Sequence, residues 1–79
     1  MHPVIAEIEV YDPVNRRWMP ASWDWEGMMI LVSHGHAKPT DRIRIRPGRG
    51  IHNRLYKLVL KVCERRGYRY HEDWPKEDR

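Results

Sequence analysis

Apolar and polar residues alternate along Val4-Ile5-Ala6-Glu7-Ile8-Glu9-Val10-Tyr11, with Val4, Ala6, Ile8 and Val10 on one face and Ile5, Glu7, Glu9 and Tyr11 on the other. A period of two with one apolar face predicts a half-buried strand. Asp12-Pro13-Val14-Asn15 carries turn chemistry: Asp initiates turns, Pro fixes φ, and Asn tolerates a left-handed backbone. Arg16-Arg17-Trp18-Met19 predicts a short returning strand, ended by Pro20. Residues 20–27, with Trp23 and Trp25 flanking Asp24, read as a loop or a single helical turn. Residues 28–33 form a continuous apolar run and predict a strand covered on both faces. Residues 34–41 read as a loop. Arg42-Ile43-Arg44-Ile45-Arg46 alternates again, isoleucines inward and arginines outward, until Pro47-Gly48-Arg49-Gly50 breaks it.

A helix is predicted next. Ile51, Leu55, Leu58, Val59 and Val62 recur at i, i+4, i+7, i+8 and i+11, an amphipathic stripe. Arg65 and Arg66 suit the negative end of the helix dipole, and Gly67 is placed to cap it. Tyr68-Arg69-Tyr70-His71 predicts a last short strand, and the charged residues 72–79 a frayed, flexible tail. The expected fold is α+β: a small antiparallel sheet of three to four strands packed against one C-terminal amphipathic helix, in a single compact domain over residues 1–71.

Composition narrows the class. The chain has 79 residues, and a domain that small buries only about 60% of its unfolded surface. Four Trp and four Tyr, with no Phe, leave enough apolar bulk for a globule but make Trp a necessary part of its core. The single cysteine, Cys63, excludes an intramolecular disulfide and a Cys-based zinc cluster, and fits a reducing, cytoplasmic setting. No apolar run approaches the roughly 18 residues of a membrane span, and residues 1–4 do not read as the start of a signal peptide.

Charge is distributed unevenly. Residues 1–37 carry net −3, residues 38–69 net +9 and residues 70–79 net −2, for a total of +4. Period two places Arg42, Arg44 and Arg46 on one strand face, and helical spacing places Arg54, Lys57, Lys61 and Arg65 in one stripe. Arg49, between glycines at the helix start, adds a potential phosphate contact. Strand, loop and helix together predict one electropositive surface, so the leading expectation is a non-enzymatic nucleic-acid-binding module, contacting phosphates of DNA or RNA with little sequence readout. Glu7 and Glu9 offer the competing reading: facing Arg42 and Arg44 across a strand pair, they would make those charges ordinary sheet chemistry. The turn around Gly48 and Gly50 is similar to the glycine turns of small RNA- and DNA-binding α/β domains, over four or five residues only.

The alternative is a protein-interaction module. Arg16, Arg17, Trp18, Trp23 and Trp25 have the composition of a protein-binding hot spot. Compact chains of this size, basic on one side and rich in Trp, resemble phage and mobile-element accessory proteins that bind and inhibit a host protein or defence complex. An acidic protein surface is the implied partner, and a homodimer through a sheet edge or the Trp loop is a further option. Nothing calls for a cofactor. His34 and His36, even with Asp41, His52 or His71, match no metal-site motif, so no metal is expected. No catalytic set is identifiable; a small ribonuclease would have to draw on Arg49, His52 and Tyr56.

Overall fold

The structure is a computed structural model that describes residues 5–48 and 53–71. Its elements run β1 (Ala6–Asp12), β2 (Arg17–Asp24), β3 (Met29–Val32), β4 (Gly35–His36), β5 (Arg42–Pro47), α1 (Asn53–Arg65) and β6 (Arg69–His71). One six-stranded sheet holds them in the order β4-β3-β2-β1-β5-β6, with β5 and β6 parallel and every other pair antiparallel.

This corrects the expected three- or four-stranded antiparallel sheet under a C-terminal helix. The protein is mostly β, and α1 sits between two strands of the same sheet. A helix that connects neighbouring strands forces them parallel, because the chain must return to the starting end of the sheet. One strand is longer than expected and one is new where the sequence reads as loop. β2 continues through Pro20 to Asp24, and Gly35–His36 adds a short edge. β3 pairs only as far as Ser22, so at Pro20 β2 has a partner on one side alone, where a missing N–H is tolerated.

Two hairpins are built alike. In each, an Asp closes β1 or β2 and the fourth residue after it adopts a left-handed backbone: Arg16 after Asp12 and Met28 after Asp24, both at φ 55°. Asp12 Oδ1 accepts the Val14 amide at 3.0 Å, and Asp24 Oδ1 accepts the Glu26 amide at 3.0 Å.

Register assigns the two sheet faces. Ile8 pairs with Ala21 and Ile45, Val10 with Met19 and Ile43, and Ile30 with Trp23. This face packs under α1, and Ile8, Val10, Ile30, Ile43 and Ile45 join Tyr56, Val59 and Cys63 in the buried core. Among the described residues nothing covers the opposite face. Leu31 lies on it, 40% exposed, so the 28–33 run is covered on one face rather than two.

The helix end follows the sequence. The Tyr68 amide bonds the Cys63 carbonyl at 2.9 Å and the Gly67 amide the Glu64 carbonyl at 3.0 Å, a Schellman cap with Gly67 at φ 84°. The cap turns Tyr68 into the core. Its hydroxyl donates to the Ala37 carbonyl at 2.8 Å and accepts from the Ile30 amide at 3.4 Å. The charged tail, residues 72–79, lies outside the described residues.

Candidate interaction surface

The strand arginines are engaged by the chain's own acids. Glu9 faces Arg44 and Glu7 faces Arg46 directly across β1 and β5. Arg44 Nε donates to Glu9 Oε1 at 2.8 Å, with a second donation from Nη2, and Arg46 Nε donates to Glu7 Oε1 at 2.5 Å. The pairing is shifted by two residues from the register that would set Glu7 and Glu9 against Arg42 and Arg44. Arg42 instead lies over aromatic rings, its guanidinium carbon 5.4 Å from the centroids of both Tyr11 and Trp18. Arg44 lies 4.3 Å over Trp18 as well.

Arg42, Arg44 and Arg46 alternate with the buried Ile43 and Ile45, so they occupy the uncovered face of the sheet. α1 packs on the other face. The strand stripe and the helix stripe therefore lie on opposite sides of the sheet and do not merge. Arg49, the loop residue meant to join them, lies outside the described residues, as does His52.

The helix stripe itself is displayed. Arg54, Lys57, Lys61 and Arg65 are all exposed. None forms an ion pair with a described residue, and Glu64 is the one acid along the helix.

The apolar face that α1 turns inward shares Val59 with its sequence stripe but is rotated away from Leu55 and Leu58. Tyr56, Val59 and Cys63 are buried and Leu60 packs against them, at i, i+3, i+4 and i+7. Leu55 and Leu58 are instead 39% and 41% exposed, with Val62 half-buried beside them. Both sets satisfy helical spacing. The sheet takes the set containing Tyr56 and Cys63, residues a simple aliphatic count omits. Ile51, the first member of the predicted stripe, lies outside the described residues. α1 thus presents two adjacent outward stripes, Leu55-Leu58-Val62 and Arg54-Lys57-Lys61-Arg65.

The tryptophans do not form one platform. Arg16 and Arg17 are exposed in and beside the first hairpin turn, and Trp18 lies on the uncovered face, edge-on to Tyr11 at 5.3 Å. Trp23 packs against the core on the helix side, at the far end of β2, and its buried indole N–H has no hydrogen-bond partner. Trp25, exposed in the second turn, meets Trp23 edge-on at 6.1 Å.

Histidine chemistry is local. His36 Nε2 lies 3.0 Å from Asp24 Oδ2, while His34 is exposed in the β3–β4 turn. The His36 bond, with backbone amides of the turn, holds the Asp24 carboxyl below its ordinary 3.8. A Cβ at Gly27 would stand 2.8 Å from Asp24 Oδ2, so a side chain there would displace that carboxylate. Among the described residues no three His, Cys, Asp or Glu side chains cluster as a metal site. Tyr56, the remaining ribonuclease candidate, is buried in the core. Burial pushes the Cys63 thiol up to about 11, so it is neutral. No helix among the described residues is long and apolar enough to cross a membrane.

No family model, curated protein or solved structure matches this chain.

Proposed function

We propose that the protein is a small non-enzymatic interaction module that binds an acidic partner protein through the outer face of α1. One observation carries the reading: Leu55 and Leu58 stand exposed directly beside Arg54, Lys57, Lys61 and Arg65. Phosphate backbones call for the cations alone. A protein surface that pairs apolar residues with carboxylates uses both stripes, the apolar one for burial and the basic one for steering and orientation. The internal pairing of Arg44 and Arg46 supports the same choice, because it removes two of the strand cations a nucleic-acid surface would use. The module's output is occupancy of a partner's surface, in the manner of an accessory or inhibitory protein. Its lone buried thiol is in keeping with a reducing, cytoplasmic setting.

A nucleic-acid role keeps one specific support, the four helix cations without described acid partners, and the same experiment separates the two. Affinity-tagged chain is recovered from nuclease-treated lysate alongside Leu58→Ser, Lys61→Glu and Arg46→Gln variants. The proposal predicts a stoichiometric acidic protein that survives nuclease, is lost with the first two variants and is kept with the third. Bound material that disappears with nuclease, or that tolerates Leu58→Ser, overturns it.

A further inference from the structure

Leu55, Leu58, Val62 and Arg65 follow one another on α1 at intervals of three, four and three. That spacing keeps successive side chains in one line along a helix, and it is the seam by which one helix packs on another. Leu55, Leu58 and Arg65 are exposed and Val62 is half-buried, so among the described residues the seam is open to solvent.

The two flanks of the seam differ. Arg54 and Lys61 each precede a seam residue by one position, stand seven apart and therefore share one flank. Both are exposed, and no described acid pairs with either. Val59 and Cys63 each follow a seam residue by one position, on the other flank, and both are fully buried in the core. A helix laid along the seam thus meets cations on one side and the domain's own surface on the other. Lys57 lies farther round α1 from Leu58 than Lys61 does. A second copy of α1 would bring only more cations to the charged flank, because Glu64, the one acid of the helix, falls on the side away from the seam.

We propose, resting on α1 as the partner-binding face, that the partner docks an amphipathic acidic helix along Leu55, Leu58 and Val62. That helix carries apolar residues at the same three–four spacing and acids repeating every seven residues along one flank alone. Apolar anchors at i, i+3 and i+7 are the means by which helices are recognised in this mode. The acids meet Arg54 and Lys61, which orients the helix along the seam. An extended acidic segment alternates its side chains every two residues and has no face of this spacing.

The test is a fluorescence-anisotropy titration of the full chain into two labelled peptides of about three heptads. One has Leu at the three–four positions and Glu along a single flank; the other has the same composition in scrambled order. Saturable binding of the first is expected, at least about tenfold tighter than of the second. Leu58→Ser should weaken it at least about tenfold with the amide spectrum intact. Lys61→Glu should weaken it at least about threefold more than Lys57→Glu, although the charge change is the same. Arg46→Gln, on the other side of the sheet, should bind as the parent does. Equal binding of both peptides, each weakened by Leu58→Ser, overturns the docked helix and leaves the acidic-partner reading standing. Binding of neither peptide, or binding indifferent to Leu58→Ser, overturns both. Self-association of the chain that Leu58→Ser abolishes would put a second copy in the seam and overturn the proposal.

Discussion

Arg66 donates from Nε to the Met28 carbonyl and from Nη2 to the Gly27 carbonyl, both at 2.8 Å. The residue that follows α1 thereby grips the turn between β2 and β3. That turn contains Met28 in a left-handed conformation, and the two bonds anchor it to the capped end of the helix. Arg66→Met keeps the stem and removes both donors. It is expected to lower unfolding free energy by about 1 kcal/mol, since the group is exposed and charge-assisted bonds there are partly screened. Urea unfolding at equal m-value measures it, and hydrogen exchange should show residues 25–28 losing protection first.

Asp24 gives a pH dependence whose sign is fixed. Its folded carboxyl lies below the ordinary 3.8, mainly through the His36 bond and then through turn amides. A depressed carboxylate adds stability above its unfolded pKa, and that stability is lost as pH falls through the folded value. Asp12, lowered chiefly by the Asn15 side chain, acts in the same direction. Thermal stability is therefore expected to fall as pH drops below about 4, and less steeply in an Asp12→Asn, Asp24→Asn double variant. Replacing His36 with Ala should move the Asp24 titration, followed by carboxyl carbon NMR, back toward 3.8.

The pairing of Glu9 with Arg44 and of Glu7 with Arg46 predicts what happens when the acids are neutralised. A Glu7→Gln, Glu9→Gln variant removes the two carboxylates that face Arg44 and Arg46 and leaves that face two charges more positive. It should gain salt-sensitive retention on heparin and on single-stranded DNA relative to the parent. Unchanged elution would show that these arginines were already available.

Cys63 should be unreactive while the protein is folded. Its thiol is fully buried and pushed up to about 11, so the thiolate needed for attack is scarce at pH 8. Labelling by a maleimide is expected to proceed at the rate of unfolding and to accelerate sharply in urea.

The elements most legible in the sequence were those with one clear period and a clean stop. The alternation of residues 4–11 and of Arg42 to Arg46 located β1 and β5, and Gly67 located the helix end. The longer extent of β2 was hidden because Pro20 reads as a terminator unless one knows that its outer neighbour begins only at Ser22. β4, two residues long, has no pattern to detect. The parallel β5–β6 pair was available in principle, since strand, helix and strand in succession imply a crossover. The candidate surface was half legible. Spacing found the basic stripe on α1 and the buried Val59, but only tertiary packing completed the inward face with Tyr56 and Cys63 rather than Leu55, Leu58 and Val62. The fate of the strand arginines depended on cross-strand register, which sequence left open by two residues.

The account rests on which face of α1 is buried, and adjacent substitutions test it directly. Leu58→Lys and Val59→Lys place the same charge on neighbouring helix positions, one outward and one in the fully buried core. Denaturant unfolding should find Leu58→Lys within about 1 kcal/mol of the parent, because an exposed position tolerates a lysine, and Val59→Lys destabilised by several kcal/mol or unfolded. The reverse order, with Leu58→Lys unfolding the chain and Val59→Lys tolerated, would turn the Leu55-Leu58 stripe inward and contradict the proposed surface.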